Sequence, residues 1–206
     1  MFRYLLTIAL FAVFGISYGE QYDFEKNGIS YVWEKMPDFL ESKRIYLEAF
    51  TKCYSSYPLE VFKLPAKKTV EQMIEEIFDQ VYVDYQSSES YRWLSAKVND
   101  HLIGFLLIDM VKGPEEVYLA HLAIDPSYQG RGIASTMIKS LYDQFPKCVR
   151  FVVITRQVNE GAKALYHALG FIPSPYMHEG YSAEMYTGYE LLRSSNHLDK
   201  MLPAPF

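Results

Sequence analysis

Residues 125–136 read DPSYQGRGIAST, a turn that holds Gly130 and Gly132 with Arg131 between them and an apolar run behind. Glycines ahead of a helix let the backbone close on an anion, and the helix end supplies unpaired N–H groups and a positive dipole. The stretch Gln129-Gly130-Arg131-Gly132-Ile133-Ala134 therefore suits a phosphate, with Arg131 adding charge at the rim. Two familiar phosphate motifs are missing. Ser135 stands where a dinucleotide-binding turn needs its third glycine, and no Gly-Lys-Ser/Thr is present for a P-loop. Taken alone, a Gly-x-Gly before a helix is also simply a turn.

The elements around this turn follow from periodicity. GISYVWEK (28–35) alternates as a first strand, and Met36-Pro37 breaks it. Asp38-Phe39-Leu40-Glu41 has capping-box spacing for a helix to about Thr51, and Thr69-Val70-Glu71-Gln72 repeats that spacing. Behind the second box, Val70, Met73, Ile74, Ile77, Phe78 and Val81 share one helical face. YRWLSAKV (91–98), Asn99-Asp100 and HLIGFLLIDM (101–110) form a hairpin pattern, and VYLAHLAI (117–124) is a further strand. After the glycine turn, Ile133, Met137, Ile138, Leu141, Tyr142 and Phe145 line one side of a helix. CVRFVVITR (148–156) reads as a buried strand, a helix from about Asn159 stops at Gly170, and AEMYTGYELLR (183–193) is a last strand. The order β-α-α-β-β-β-α-β-α-β predicts an α/β (α+β) domain over residues 20–206, a mixed sheet with helices on both sides.

Two segments within that order, LAIDPSYQGRGIASTMIKSL (122–141) and NEGAKALYHALGF (159–171), together resemble the GNAT superfamily of N-acetyltransferases. The first matches its Gln/Arg-x-x-Gly-x-Gly/Ala motif, with Ala134 in the last small position. The second matches its Asn…Ala-x-x-Leu-Tyr-x-x-x-Gly-Phe segment. The resemblance is specific over 117–172 and extends by element order to 28–193. It implies a GNAT-like, mostly antiparallel sheet and acetyl-CoA as cosubstrate. It places the pyrophosphate on Gln129, Gly130, Arg131, Gly132, Ile133 and Ala134, and the pantetheine arm along the main chain of Leu122, Ala123 and Ile124. Asn159 matches the family's asparagine beside that arm, and Tyr166 its tyrosine near the thioester sulfur.

The implied reaction is direct attack by a neutral amine in a ternary complex. Backbone N–H groups near Ala123 would stabilise the oxyanion, and Tyr166 would protonate the departing thiolate; its alternative is a core aromatic on a helix face. His121 titrates near neutrality and is one candidate base. Period-two alternation sets His121 on the face opposite Ala120 and Leu122, so that role needs a bulge that nothing in the sequence shows. Glu115 and Glu116 are comparable by proximity, although two acids after Gly113-Pro114 also suit a solvated turn; Asp125 reads as a strand terminator before Pro126. The base stays open among His121, Glu115 and Glu116.

Twenty basic against 25 acidic residues give a net charge of −5, with no basic run, which argues against a nucleic-acid partner. An amine acceptor, cationic in particular, is compatible with that charge. The segment SPYMHEGYSAEMYTGY (174–189), with Glu179 and Glu184, is expected to line the amine side. The 18 tyrosines suit strand and core positions as well as an aromatic binding surface. The head MFRYLLTIALFAVFGISYG has Arg3, an apolar run to Phe14 and small residues Ser17 and Gly19, the pattern of a cleavable signal peptide over 1–19. The eleven uncharged residues from Tyr4 to Phe14 span only about 16 Å against about 30 Å of hydrocarbon, so no stable membrane span is expected in the mature chain. The expectation is a periplasmic or secreted protein, or a cytoplasmic one if the leader is kept. Because acetyl-CoA is scarce outside cells, a second reading is an exported GNAT-fold binding module without catalysis. Cys53 and Cys148 would be able to pair in an oxidising compartment, though Cys148 within CVRFVVI also reads as a buried thiol. The five histidines are scattered and no metal site is expected. Oligomeric state is not legible.

Overall fold

The computed structural model describes residues 21–193, except Met36, Ala66 and Glu179. The expected leader at 1–19 and the acceptor-side candidate Glu179 thus lie outside the described residues. The chain runs β1 (Phe24–Lys26), β2 (Ile29–Glu34), α1 (Phe39–Tyr54), a short 3-10 turn (Leu59–Phe62), α2 (Val70–Ser87), β3 (Tyr91–Val98) and β4 (His101–Asp109). It continues through β5 (Glu116–Ile124), α3 (Ile133–Gln144), β6 (Arg150–Arg156), α4 (Glu160–Ala168), β7 (Ile172–Ser174) and β8 (Tyr186–Leu192). The strands form one sheet in the order β1-β2-β3-β4-β5-β6-β8-β7. Every neighbouring pair is antiparallel except β5 with β6. This is the expected order with two additional edge strands.

Local chemistry accounts for the element ends. Around α2 both halves of the capping box form: Thr69 Oγ1 accepts from the Gln72 N–H at 3.1 Å, and Gln72 Oε1 accepts from the Thr69 N–H at 3.0 Å. At α1 only half of the box exists. Asp38 Oδ1 accepts from the Glu41 N–H at 3.0 Å, but the Glu41 carboxylate is drawn to Arg44, 2.6 Å away. The single strand expected over 28–35 is instead the second arm of a hairpin. Asn27 and Gly28 take φ of 55° and 71°, the left-handed values that an Asn-Gly hairpin turn requires, and Phe24 pairs with Tyr31 across it.

The helices cover both faces. On one, Ile45 and Tyr46 of α1 and Ile74 and Phe78 of α2 pack on Trp93, Phe105 and Leu107. On the other, Met137, Ile138 and Leu141 of α3 and Tyr166 of α4 pack on Leu94, Leu106, Leu119 and Val153. Each such aliphatic or aromatic side chain contributes roughly 1.5–3 kcal/mol by leaving water, which holds β4, β5 and β6 rigidly at the centre. Both cysteines are free thiols: Cys148 is buried and donates to the Arg150 carbonyl at 3.2 Å, and Cys53 donates to Asn159 at 3.3 Å.

Candidate active site

The site begins where β5 and β6 part. Their parallel pairing runs from Glu116 with Arg150 to Leu119 with Val153 and ends there, although β5 continues to Ile124 and β6 to Arg156. Beyond that point the two strands form a fork, and the open edge of β5 keeps backbone groups without a strand partner. The Asp125 N–H donates to the Ile103 carbonyl at 2.9 Å. Alternation along the ladder therefore makes Ala123, opposite Phe105, a hydrogen-bonded partner of β4. The main-chain groups of Leu122 and Ile124 are the ones that face the fork. The N–H groups of Leu122 and Ile124 and the Leu122 carbonyl thus have no strand partner and suit the expected main-chain contacts, whereas the Ile124 carbonyl accepts from Gln129 and the Ala123 N–H is turned to β4 and is not available to an oxyanion.

Strand β5 also bulges. Leu107 of β4 stands opposite His121 while Ile108 stands opposite Leu119, which leaves Ala120 as an extra residue. The bulge puts Ala120 and His121 on the same face, toward α1 and α2, while Leu122 packs on the opposite face with α3. His121 is therefore re-aimed toward the cleft, against the strict alternation expected of the strand. Its Nδ1 lies 3.2 Å from the hydroxyl of Tyr46 on α1. Burial pushes the imidazole down to about 4, so it stays neutral near pH 7.

The cleft at the fork has a volume of about 580 Å³ and is walled by α1, α2, β5, β6 and α4. Gln129, Gly130 and Ala134 line its mouth beside the glycine turn. Gly130 and Gly132 have φ of 78° and 77°, and a Cβ on either would meet no atom within 4 Å, so the turn is open to an approaching group. Gly132 caps α3 with no side-chain hydrogen bond, whereas Asp38, Thr69 and Asn159 cap the other three α-helices with theirs. The first N–H groups of α3 thus have no side-chain acceptor, and an anion fits there. Arg131 leans on Tyr128, 4.9 Å from its ring, and donates to the Ser127 carbonyl at the exposed rim. The Gln129 amide is taken up by the Ile124 carbonyl at 3.0 Å, which holds the end of β5 to the turn. Ile133 is buried beneath the turn, so of its groups only the backbone N–H suits an anion.

On the opposite wall, Asn159 caps α4 by accepting from the Ala162 N–H at 3.1 Å and also receives the Cys53 thiol. Tyr166, one helical turn beyond Ala162, reaches the cleft with its ring against Phe171 and Tyr189 at 5.7 and 5.9 Å. Its hydroxyl bonds to no other described residue, and burial raises its pKa, so the phenol remains protonated. The acids proposed as alternative bases are elsewhere. Glu116 pairs with Lys112 and Arg150 at 2.9 and 2.8 Å, and Glu115 is exposed at the same end of the strand. Asp125 closes its turn: burial would raise its pKa, but hydrogen bonds from Ser127 and Arg44 outweigh this and hold it low. Glu184 pairs with Lys63 at the surface, outside the cleft.

Tyr181 and Tyr186, from the segment 174–189 expected on the amine side, do line the cleft, whereas other wall residues were not anticipated: Tyr46, Cys53 and Tyr54 from α1 and Arg156 at the end of β6. The helical residues look like ordinary core positions in sequence. Arg156 looks like the point where a strand leaves the core, yet it is buried.

A family model described as the acetyltransferase (GNAT) family matches residues 43–171. The ribosomal protein bS18-alanine N-acetyltransferase of Escherichia coli is 29% identical over 117 residues, which cover 55% of this chain and 77% of that protein. Among solved structures, the PaiA N-acetyltransferase of Thermoplasma acidophilum in complex with coenzyme A superposes with a TM-score of 0.61 at 17% identity, over 80% of this chain and 99% of that one. The spermidine N-acetyltransferase of Vibrio cholerae in complex with CoA and spermine superposes with a TM-score of 0.54 at 15% identity, over 84% and 99% of the two chains.

Proposed function

Because the chain belongs to the acetyltransferase (GNAT) family, we propose that its cleft joins the acetyl group of acetyl-CoA to an amine lodged between α1, α2 and the bulge of β5. The observation that carries this reading is the fork of β5 and β6 opening beside the uncapped, glycine-flanked start of α3. Bound there, acetyl-CoA would supply an activated thioester that a neutral amine attacks directly. The chain's own groups divide the remaining work. The first N–H groups of α3 hold the pyrophosphate. The Leu122 carbonyl and the N–H groups of Leu122 and Ile124 orient the arm, and those N–H groups face the developing oxyanion in place of Ala123. Tyr166, protonated and without a hydrogen-bond partner among the described residues, gives its proton to the departing sulfur. Asn159 holds the start of α4, and with it Tyr166, against the cleft.

The bulge supports His121 as the group that handles the amine's proton. In the tautomer whose Nδ1–H donates to Tyr46, Nε2 is an acceptor. An imidazole held neutral passes a proton on to water rather than storing it.

Isothermal calorimetry with coenzyme A tests the binding half of the proposal on the parent chain and on Gly132→Ala. Saturable binding is expected, weakened at least tenfold in the variant, since an alanine at φ 77° costs about 1–2 kcal/mol and shifts the first turn of α3. Absence of binding at millimolar coenzyme A overturns the proposal.

A further inference from the structure

Arg156 closes β6 with only 8% of its surface exposed, and it lines the cleft. Its guanidinium stands 5.5 Å from the ring of Phe62 and 4.9 Å from that of Tyr186, with one nitrogen 3.1 Å from the Met73 sulfur. No described carboxylate forms an ion pair with it. Arg44 and Arg150, by contrast, meet carboxylates, and Arg92, Arg131 and Arg193 meet backbone carbonyls. A buried charge without a counter-charge is costly. Two aromatic faces and a thioether offset part of that cost but satisfy almost none of the five N–H donors.

The remainder of the cleft has the same sign. Among the described residues its wall contains Lys52 and Arg156 and no aspartate or glutamate, in a chain with a net charge of −5. The pyrophosphate does not account for Arg156. The glycine turn and α3 lie on the other helical face, whereas Phe62 and Met73, which hold the guanidinium, belong to the α1–α2 side where the amine must enter. The guanidinium is planar by delocalisation, and held between the Phe62 and Tyr186 rings it presents the fork geometry that a carboxylate fits with two parallel hydrogen bonds.

We propose that the acceptor is an amine that also carries a free carboxylate, and that Arg156 is the residue that receives it. The inference rests on the acetyltransferase reading of the same site. The step balances as R–NH2 plus the acetyl thioester giving the N-acetyl amine and the free thiol: a C–N bond forms, the C–S bond breaks, Tyr166 protonates the departing sulfur, the amine's proton leaves by way of His121 to water, and water returns a proton to Tyr166. A cleft without a carboxylate among its described residues disfavours polyamines.

The test uses the full chain and first confirms that it binds coenzyme A; failure at that step overturns the acetyltransferase reading itself. Acetyl transfer is then followed by mass spectrometry with glycine, β-alanine, 4-aminobutyrate and 6-aminohexanoate, each beside its amide. Alanyl-glycyl-glycine with a free or amidated C-terminus and spermidine complete the panel. The amino-acid series and the peptide pair separate a free amino acid from a peptide terminus as the carboxylate's source. At least one acid is expected to exceed its amide tenfold or more in kcat/KM. Arg156→Gln is expected to remove most of that preference through KM while coenzyme A binds as it does to the parent. Arg156→Met serves the same purpose if the glutamine variant fails to fold, and the acid-to-amide ratio of the parent needs no variant. Equal rates on acids and amides, spermidine preferred to every acid, no acid acetylated, or equal losses on acid and amide in the variant would each overturn the inference.

Discussion

Replacing Tyr166 with phenylalanine removes one oxygen and leaves the ring on Phe171 and Tyr189. The hydroxyl gives no hydrogen bond to another described residue, so its loss orphans no partner and the change in stability is expected to stay within about 1 kcal/mol. Burial keeps the phenol protonated well beyond the usual tyrosine range, so the parent retains its proton donor across any practical assay pH. A positioned general acid contributes roughly 10²–10⁴ in rate, which at 1.36 kcal/mol per tenfold is about 2.7–5.5 kcal/mol of transition-state stabilisation. Tyr166→Phe should therefore lower kcat by at least a hundredfold, with coenzyme A affinity and melting temperature nearly those of the parent. The assay is release of free thiol from acetyl-CoA at saturating acceptor, with calorimetry against coenzyme A as the control. A kcat within threefold of the parent would refute the acid role and leave Tyr166 a core aromatic. Weaker binding at an unchanged kcat would refute it as well, and would assign the hydroxyl to holding the cofactor arm.

Gly188 sits in β8 directly under the chain that leads away from β7; a Cβ there would collide with the Tyr176 carbonyl oxygen and stand 2.9 Å from that of Ser174. Since both obstacles are backbone, Gly188→Ala should cost about 1–3 kcal/mol as overpacking does. A urea midpoint equal to the parent's would show instead that this chain yields freely. His121 predicts a pH dependence. Its pKa falls from 6.5 unfolded to about 4 folded, so the unfolded state takes up the proton first. The associated stability is complete above pH 6.5 and is lost as pH falls toward 4, by no more than about 3 kcal/mol. The ring is only half-buried at the cleft wall, which lowers that figure. Urea midpoints at pH 7.5 and 4.5 should therefore fall less in His121→Gln than in the parent, and an equal fall in both contradicts a proton-excluding site.

Much of this architecture is written in short stretches. The boxes at Asp38 and Thr69, the stripes of α2 and α3 and the turn at Gly130 and Gly132 depend on neighbours within one or two helical turns, so the sequence determines them by itself. The Asn27-Gly28 hairpin is equally local, and its signal stands in the sequence ahead of β2. With the segment from Asn159 to Phe171 these features identify the family and the glycine-turn side of the cleft. The α1–α2 side depends on distant partners. The bulge at Ala120 exists only against β4, and a lone strand shows just its period of two, which points His121 the wrong way. The availability of Leu122 and Ile124, and the engagement of Ala123, follow from where β6 stops pairing. Arg156 ends an apolar run as a solvent-facing residue would, and becomes a buried cation with no ion-pair partner among the described residues only once Phe62 and Tyr186 close on it from elements far away in the chain. Side chains that bind through local backbone geometry are set by local sequence, whereas side chains whose charge and direction depend on what packs against them are set by the tertiary fold.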